Sequence, residues 1–255
     1  MRSTIYGPVS SWRLGSSLGI DLLSTRRKTC SYDCVYCQLG RTANLMTERR
    51  EFVSTKELEM ALEKMRGVSA NYATFSGMGE PTLASNLGQA IELTRAILHL
   101  PIAVLTNSSL MSREDVRQEL ALADIVVAKV DAPTEDLFHQ INRPHIKYTL
   151  HEILQAIESF RTAYGGKLAL QMMFFEANMG CAAEMARLAK TFSPDEIQIN
   201  TPLRPCPVRP LSPDEIASVR GQFVEFHGVM TVYEAKRLEV TPLDLEATLR
   251  RRPKL

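Results

Sequence analysis

The strongest constraint on the fold is an alternation of short apolar runs with segments of helical periodicity. Runs such as DIVVAKV at 124–130 and LALQMMFF at 168–175 are apolar almost throughout, which is typical of strands buried on both faces of a parallel sheet. Each run is followed by a helix-like segment, so the pattern predicts an α/β fold, either a parallel sheet or a partial barrel. The predicted strands are 19–23, 72–76, 102–105, 124–130, 168–175 and 196–200.

Two of the predicted helices carry clear start signals. Ser54 with Glu57 three residues later forms a capping-box pattern, and Ser212 with Glu215 repeats it, with Pro213 at the first helical position. In folds of this kind the functional groups come from loops at the C-terminal ends of the strands. The other predicted helices are 87–98, 114–122, 149–160 and 182–189.

The chain has the length of one barrel-sized domain. Its 255 residues are 45% hydrophobic and 23% charged, which are ordinary values for a globular protein. We predict a single domain over 1–255, with a barrel core at 1–235 and a helical tail at 236–255. No apolar run approaches the roughly 18–20 residues of a membrane span, and the N-terminus lacks the apolar region of a secretory signal. No membrane partner and a cytoplasmic location are therefore expected.

Three of the five cysteines form a C-x3-C-x2-C pattern, Cys30, Cys34 and Cys37, just after the first predicted strand. An odd number of cysteines, with three of them clustered, is unlike the disulfide framework of a secreted protein and favours metal binding or redox chemistry. Three thiolates can hold an iron–sulfur cluster with one iron left open for a ligand. A zinc site would need a fourth ligand, from Cys181, Cys206 or a histidine. A thioredoxin-like role for the C-x2-C pair would leave Cys30 unexplained.

The segment CSYDCVYC resembles the cluster motif of the radical S-adenosylmethionine (SAM) superfamily. The resemblance covers about residues 5–252. It includes the opening YGPV…RLG..LGID, CQLGRT after the motif, GMGEPTL, TNSSL, KVDAP and INTPLRP after the second, third, fourth and sixth predicted strands, and INRP. Together these segments are similar to a subgroup of small radical SAM proteins related to the wyosine-forming tRNA enzymes. The resemblance implies a partial (β/α)6 barrel of the TIM type.

The resemblance also implies the chemistry. Cys30, Cys34 and Cys37 would hold a [4Fe–4S] cluster, and SAM would bind the open iron through its amino and carboxylate groups. Reduction of the cluster would cleave SAM to a 5′-deoxyadenosyl radical, which would take a hydrogen atom from a substrate that the sequence does not identify. A low-potential flavodoxin or ferredoxin is the implied electron donor.

The SAM-binding residues implied by the resemblance lie in the cysteine motif and at the ends of strands. Tyr36 corresponds to the residue that meets the adenine, and the 77–80 loop corresponds to the element that approaches the SAM amino group, where glycine would leave room for the ligand. The strand-end residues would contact the ribose, the methionine or the adenine. The implied set is Tyr36, Gly77, Gly79, Glu80, Asn107, Ser108, Asp131 and Asn200.

Three alternatives remain open. A wyosine-type tRNA-modifying enzyme would leave nucleic acid as a partner, but such enzymes carry further N-terminal cysteines and this chain has none before Cys30. A glycyl-radical-enzyme activase would carry ferredoxin-like cysteines that are also missing. A non-catalytic iron–sulfur protein would have no use for the SAM-binding loop at 77–80.

The charge of the chain is unevenly distributed. Residues 1–50 carry eight Lys and Arg against three acids, whereas the whole chain has a net charge of only +1. The excess surrounds the cysteine motif and suits an anionic substrate or an acidic electron donor. The basic residues that bracket the motif are Arg13, Arg26, Arg27, Lys28 and Arg41, and of these Arg26, Arg27 and Lys28 are predicted to dock the donor.

Overall fold

The computed structural model describes residues 3–236 and 238–253. Its strands are β1 (Ile5–Ser11), β2 (Gly15–Ile20), β3 (Thr29–Cys30), β4 (Asn44–Leu45), β5 (Tyr72–Phe75), β6 (Ile102–Thr106), β7 (Ile125–Lys129), β8 (Lys167–Met173), β9 (Glu196–Asn200) and β10 (Val229–Thr231). Its α-helices are α1 (Thr55–Glu63), α2 (Leu87–Leu98), α3 (Glu114–Leu120), α4 (Glu135–Asn142), α5 (Leu150–Ala163), α6 (Ala182–Thr191), α7 (Pro213–Arg220) and α8 (Leu245–Arg251).

Eight of these strands form one curled sheet, in the order β1-β2-β5-β6-β7-β8-β9-β10. All neighbours are parallel except β1 and β2, which form an antiparallel hairpin. The predicted partial barrel is confirmed, and all six predicted strands are present. The first of them is displaced, because β2 begins at Gly15 and ends at Ile20. The sequence patterns did not identify β1, β10 or α4, nor the two short strands β3 and β4.

The helix start signals are also confirmed. The hydroxyl of Ser54 accepts the backbone N–H of Glu57, and the Glu57 carboxylate accepts the backbone N–H of Ser54. Ser212 and Glu215 make the same reciprocal pair at the start of α7. These caps depend on residues three apart, which explains why the local sequence predicts them.

The two faces of the curled sheet differ in composition because successive side chains of a strand alternate between them. In β9, Ile197 and Ile199 pack in the main core beneath the helices, whereas Gln198 and Asn200 lie on the inner face of the sheet. We call the space that this inner face encloses the lumen. The N-terminal end of the lumen is closed by an apolar cluster. Its buried members are Leu14, Ala103, Ile125, Val127 and Ala169. The open end therefore lies at the C-terminal ends of the strands.

A buried ion pair ties α8 to the start of the sheet. Arg251 donates from Nε to Asp21 Oδ2 at 2.7 Å, and the two side chains are only 2% and 1% exposed. The same guanidinium donates to the carbonyl of Ser3 at 2.6 Å. The helical tail predicted at 236–255 thus includes a helix that packs on β1. Residues 1, 2, 237, 254 and 255 lie outside the described residues, and the domain boundaries stay a prediction.

Replacing Arg251 with Met is expected to lower the free energy of unfolding by about 3–5 kcal/mol, because Asp21 would be left as an unpaired buried charge. Urea-induced unfolding measures the loss. Arg250→Met is the matched control, since Arg250 is exposed, and the change there should cost less than about 1 kcal/mol. Equal stability of the two variants would contradict a stabilising role for the pair.

The described part of the chain contains no helix that is both long and apolar enough to cross a membrane.

Candidate cofactor site

The three motif cysteines lie on one loop, residues 30–37, which we call the cluster loop. Cys30 is at the end of β3 and buried, whereas Cys34 and Cys37 are half-buried and joined by a turn in which the Cys37 N–H donates to the Cys34 carbonyl at 3.2 Å. All five cysteines are free thiols. Burial raises the pKa of the Cys30 thiol to about 12 and also raises that of Cys34. Such thiols stay protonated at neutral pH unless a metal takes the place of the proton.

Two asparagine side chains donate to the sulfur atoms of the cluster loop. Asn107 Nδ2 lies 3.5 Å from Cys30 Sγ, and Asn142 Nδ2 lies 3.4 Å from Cys34 Sγ. The loop itself is held by the end of α4, because the Val35 N–H donates to the Ile141 carbonyl at 2.9 Å. Hydrogen bonds to thiolate sulfur stabilise its negative charge and tune a bound cluster.

Lys28 supplies a positive charge to the same loop. Its side chain is 3% exposed, and Nζ lies 3.4 Å from the Gly40 carbonyl oxygen. Burial lowers the pKa of Lys28, but the nearby cysteines outweigh this and leave it raised. The prediction that Lys28 docks an electron donor is therefore wrong, because it faces the thiols and not the solvent. Arg26 and Arg27 are exposed, as a docking role requires.

Among the residues that the structure describes, no three Cys, His, Asp or Glu side chains converge as ligands of a single metal ion. The fit to an iron–sulfur cluster instead follows from the chemistry of the donor set. That set consists of three thiols on one loop, with two amide N–H groups and a buried ammonium directed toward them. These groups match the net negative charge of a thiolate-bound cluster.

The glycines of the 77–80 loop are needed for packing within the chain. A Cβ on Gly79 would lie 1.5 Å from the carbonyl oxygen of Thr29, and a Cβ on Gly77 would lie 2.3 Å from Asp21 Cγ. The loop pairs with β3, because the Thr29 N–H donates to the Met78 carbonyl at 2.9 Å. Sequence reasoning assigned these glycines to space for SAM. The structure adds different reasons, which are the close contact of Gly79 with the strand that carries Cys30 and the close contact of Gly77 with Asp21.

Glu80 joins the 77–80 loop to the end of β6. Its buried carboxylate accepts hydrogen bonds from the Thr82 N–H, the Thr82 and Thr106 hydroxyls and the Asn107 N–H, at 2.6–3.1 Å. Burial raises its pKa, although these donors work in the opposite direction. The Glu80 carboxylate therefore fixes the position of the Asn107 backbone through this hydrogen bond. Its role toward SAM stays a prediction.

Tyr36 and Asp131 are joined in a buried network. The Tyr36 hydroxyl donates to Asp131, and Asn142 Nδ2 donates to the same carboxylate oxygen at 2.8 Å. The Met173 N–H donates to the other oxygen at 2.9 Å, and Lys129 Nζ lies 3.5 Å from it. Burial, followed by the Asp131 charge, raises the pKa of Tyr36 well above its usual value. Asp131 therefore orients Tyr36 and supports the cluster loop.

The remaining predicted residues lie at two different places. Ser108 is fully buried and joins β6 to β7 through hydrogen bonds to the backbone of Lys129 at 3.0 and 3.1 Å. Asn200 is half-buried and, together with Tyr36, lines a cavity in the lumen. The predicted residues thus fall into two hydrogen-bonded groups. Asn107 is bonded to Cys30, and Asn142 joins Cys34 to Tyr36 and Asp131.

Sequence reasoning missed Asn142, which bonds Cys34, Tyr36 and Asp131 at once. The only available signal was its place in the INRP segment, which was used as a motif and not assigned a role. It ends α4, a helix whose apolar face buries Phe138 and Ile141.

The family model for the radical SAM superfamily matches residues 27–189, more than half of the chain. The chain belongs to the radical SAM superfamily. The UPF0026 protein MJ1312 of Methanocaldococcus jannaschii is similar to it, with 38% identity over 240 residues that cover 91% of this chain and 74% of that relative. The predicted class, a radical SAM enzyme, is confirmed, whereas the relation to wyosine-forming enzymes stays a prediction.

Two solved structures share the fold. A radical SAM methyltransferase from Sphaerobacter thermophilus superposes with a TM-score of 0.60 at 17% identity, over 84% of this chain and 65% of that chain. SuiB of Streptococcus suis bound to S-adenosylmethionine gives a TM-score of 0.62 at 12% identity, over 80% of this chain and 48% of that chain. This chain therefore spans about two thirds and one half of these proteins. The cofactors of this radical SAM enzyme are the [4Fe–4S] cluster and SAM that the superfamily uses.

Proposed function

We propose that Cys30, Cys34 and Cys37 hold the [4Fe–4S] cluster and that the enzyme abstracts a hydrogen atom from a substrate bound in the lumen. When bound, the reduced cluster supplies the electron that cleaves SAM to the 5′-deoxyadenosyl radical. The observation that carries the proposal is the cluster loop, whose sulfur atoms receive amide N–H groups and whose Tyr36 borders the lumen cavity.

The residues around the cluster loop have separate tasks. Lys28 offsets the negative charge of the thiolates, and Asn107 and Asn142 fix the positions of two sulfur atoms. An apolar cluster seals the side of the loop against water, which would quench a radical. It consists of Tyr36, Ile141, Met173 and Phe175, with Cys34 packed against it.

The direct test uses anaerobically reconstituted protein reduced with dithionite in the presence of SAM. The expected products are 5′-deoxyadenosine and methionine, formed slowly even without substrate. A Cys37→Ala variant treated in the same way should form neither. Iron-loaded, reduced wild-type protein that makes no more 5′-deoxyadenosine than this variant would overturn the proposal.

Glu80→Ala is expected to weaken SAM binding about tenfold or more, because Glu80 positions Asn107, a predicted SAM contact. The iron content should stay unchanged, because Glu80 itself makes no hydrogen bond to a cysteine sulfur and the three thiols remain. Equilibrium titration with SAM measures the change, and Glu80→Gln should restore part of the affinity. Glu92→Ala, on the exposed face of α2, is the matched control. Unchanged SAM affinity would remove Glu80 from the site, and a parallel loss of iron would assign it to the cluster loop.

We also propose that a low-potential flavodoxin or ferredoxin is the electron donor and that the protein is cytoplasmic. Arg26 and Arg27 are exposed just before the cluster loop, and their positive charges suit an acidic donor.

A further inference from the structure

The three sulfur atoms of the cluster loop do not have the same kind of partner. Asn107 directs a side-chain amide to the sulfur of Cys30, and Asn142 directs one to the sulfur of Cys34. Within the described residues, no side-chain amide donates to the third sulfur, that of Cys37. A thiolate at this position needs another partner, because burying a charge without one is unfavourable.

The partner available to Cys37 is the ammonium group of Lys28. The Lys28 side chain is 3% exposed, and Nζ donates to the Gly40 carbonyl at 3.4 Å. Gly40 closes a turn on the cysteine itself, because its N–H donates to the Cys37 carbonyl at 2.9 Å. Burial alone would lower the pKa of Lys28, and among the three thiols Cys37 acts most strongly in the opposite direction, by its charge and by a side-chain hydrogen bond. The turn at 37–40 therefore holds a buried positive charge beside the third sulfur.

The acid near Lys28 compensates this charge only in part. Asp33 Oδ1 lies 4.0 Å from Lys28 Nζ and accepts the N–H of Thr42 at 2.7 Å. The other carboxylate oxygen, Oδ2, lies 3.9 Å from Arg41 Nε and also 3.9 Å from Arg143 Nη1. One carboxylate thus faces three cations, and Lys28 keeps positive charge for the thiolates.

A positive charge at this place acts on the electron transfer that the proposed function requires. Reduction transfers one electron from the donor to a cluster whose thiolates already carry negative charge. A nearby cation stabilises the reduced form more than the oxidised form, because the reduced form carries the larger negative charge. The effect is strongest where water is excluded. Lys28 is buried, whereas the side chain of Arg41, four residues after Cys37, is 82% exposed and screened by solvent.

Resting on the proposed function, we propose that Lys28 raises the reduction potential of the bound cluster and so allows the donor to reduce it. Asn107 and Asn142 contribute less to the potential, because an amide dipole acts more weakly on a negative charge than a full positive charge does. The sequence assigned Lys28 to docking of the donor. Its place in the structure instead makes the cluster a better electron acceptor.

The test is a redox titration of the reconstituted protein without SAM, followed by the EPR signal of the reduced cluster. At the midpoint potential of the wild type, the neutral variants Lys28→Met and Lys28→Gln should each lower the ratio of reduced to oxidised cluster about tenfold, which is a shift of about 59 mV to more negative potential. Lys28→Arg keeps the charge and should restore part of the ratio. Arg41→Met is the matched control, since it removes an exposed charge close to the same loop, and it should change the ratio less than about twofold.

Equal midpoint potentials of the wild type and the neutral variants would overturn the inference. An equal shift in Arg41→Met would also overturn it, because the potential would then follow the total charge. Absence of a cluster from both neutral variants would assign Lys28 to cluster assembly and overturn its role in the potential. SAM cleavage by the wild type, together with a potential that does not respond to Lys28, contradicts this inference alone, whereas a wild-type protein without a reducible cluster contradicts the proposed function as well.

Discussion

Replacing Cys34 with Ala is expected to abolish iron–sulfur loading. Anaerobic reconstitution of the wild-type chain should give about four irons per chain, and the variant should retain almost none, because one of only three anchors is lost. Iron and sulfide analysis with visible absorbance measures the result. The same outcome is expected for Cys30→Ala and Cys37→Ala.

The two remaining cysteines are the controls. Cys181 lies just before α6, and Cys206 contacts the carbonyl of Val208 through Sγ at 3.4 Å, so neither is in the cluster loop. Their Ala variants should load iron as the wild type does. A Cys181/Cys206 double variant that lost half its iron would show that the protein holds a second cluster.

Replacing Gly79 with Ala is expected to destabilise the protein by more than about 4 kcal/mol and to prevent cluster loading. The new Cβ would meet the Thr29 carbonyl oxygen at 1.5 Å, and both atoms belong to backbone-paired segments that cannot move apart independently. Displacing Thr29 displaces Cys30. Thermal unfolding of the apoprotein and the iron content after reconstitution are the two measurements.

Gly221→Ala is the matched control for this substitution. Gly221 is helical, and a Cβ there would have no atom within 4 Å, so stability should not fall. Wild-type stability of Gly79→Ala would mean that the 77–80 loop is not packed against β3.

Local patterns in the chain were sufficient to predict much of the architecture. Several of the buried strands, such as β7 and β8, appear in the sequence as apolar runs, and the capping boxes at Ser54 and Ser212 need only residues three apart. Strand β1 of the hairpin was not predicted, because IYGPVSS has neither a continuous apolar run nor a clear alternation of apolar and polar residues. Helix α4 was not predicted, because its eight residues make only about two helical turns, which is too short for a clear helical periodicity.

The site was predictable only in part. The spacing of Cys30, Cys34 and Cys37 indicated a metal centre, because three thiols within eight residues must lie close together in any fold. A count of charges does not show which basic side chains are exposed. Lys28 is buried against the thiols, whereas Arg26 and Arg27 are exposed. Their difference depends on the backbone path of the loop.

By itself, the sequence determined the α/β class, the order of six strands and the helices between most of them, and a cluster motif whose members are neighbours in the chain. Only the tertiary structure decided that Glu80 braces Asn107, that Asn142 joins Cys34 to Asp131, and that the lumen carries arginines from both ends of the chain. Short-range periodicity and capping are set by residues a few positions apart. Contacts such as Glu80 with Asn107, 27 positions apart, and Cys34 with Asn142, 108 positions apart, depend on how the curled sheet brings its strands together, and no local pattern records that.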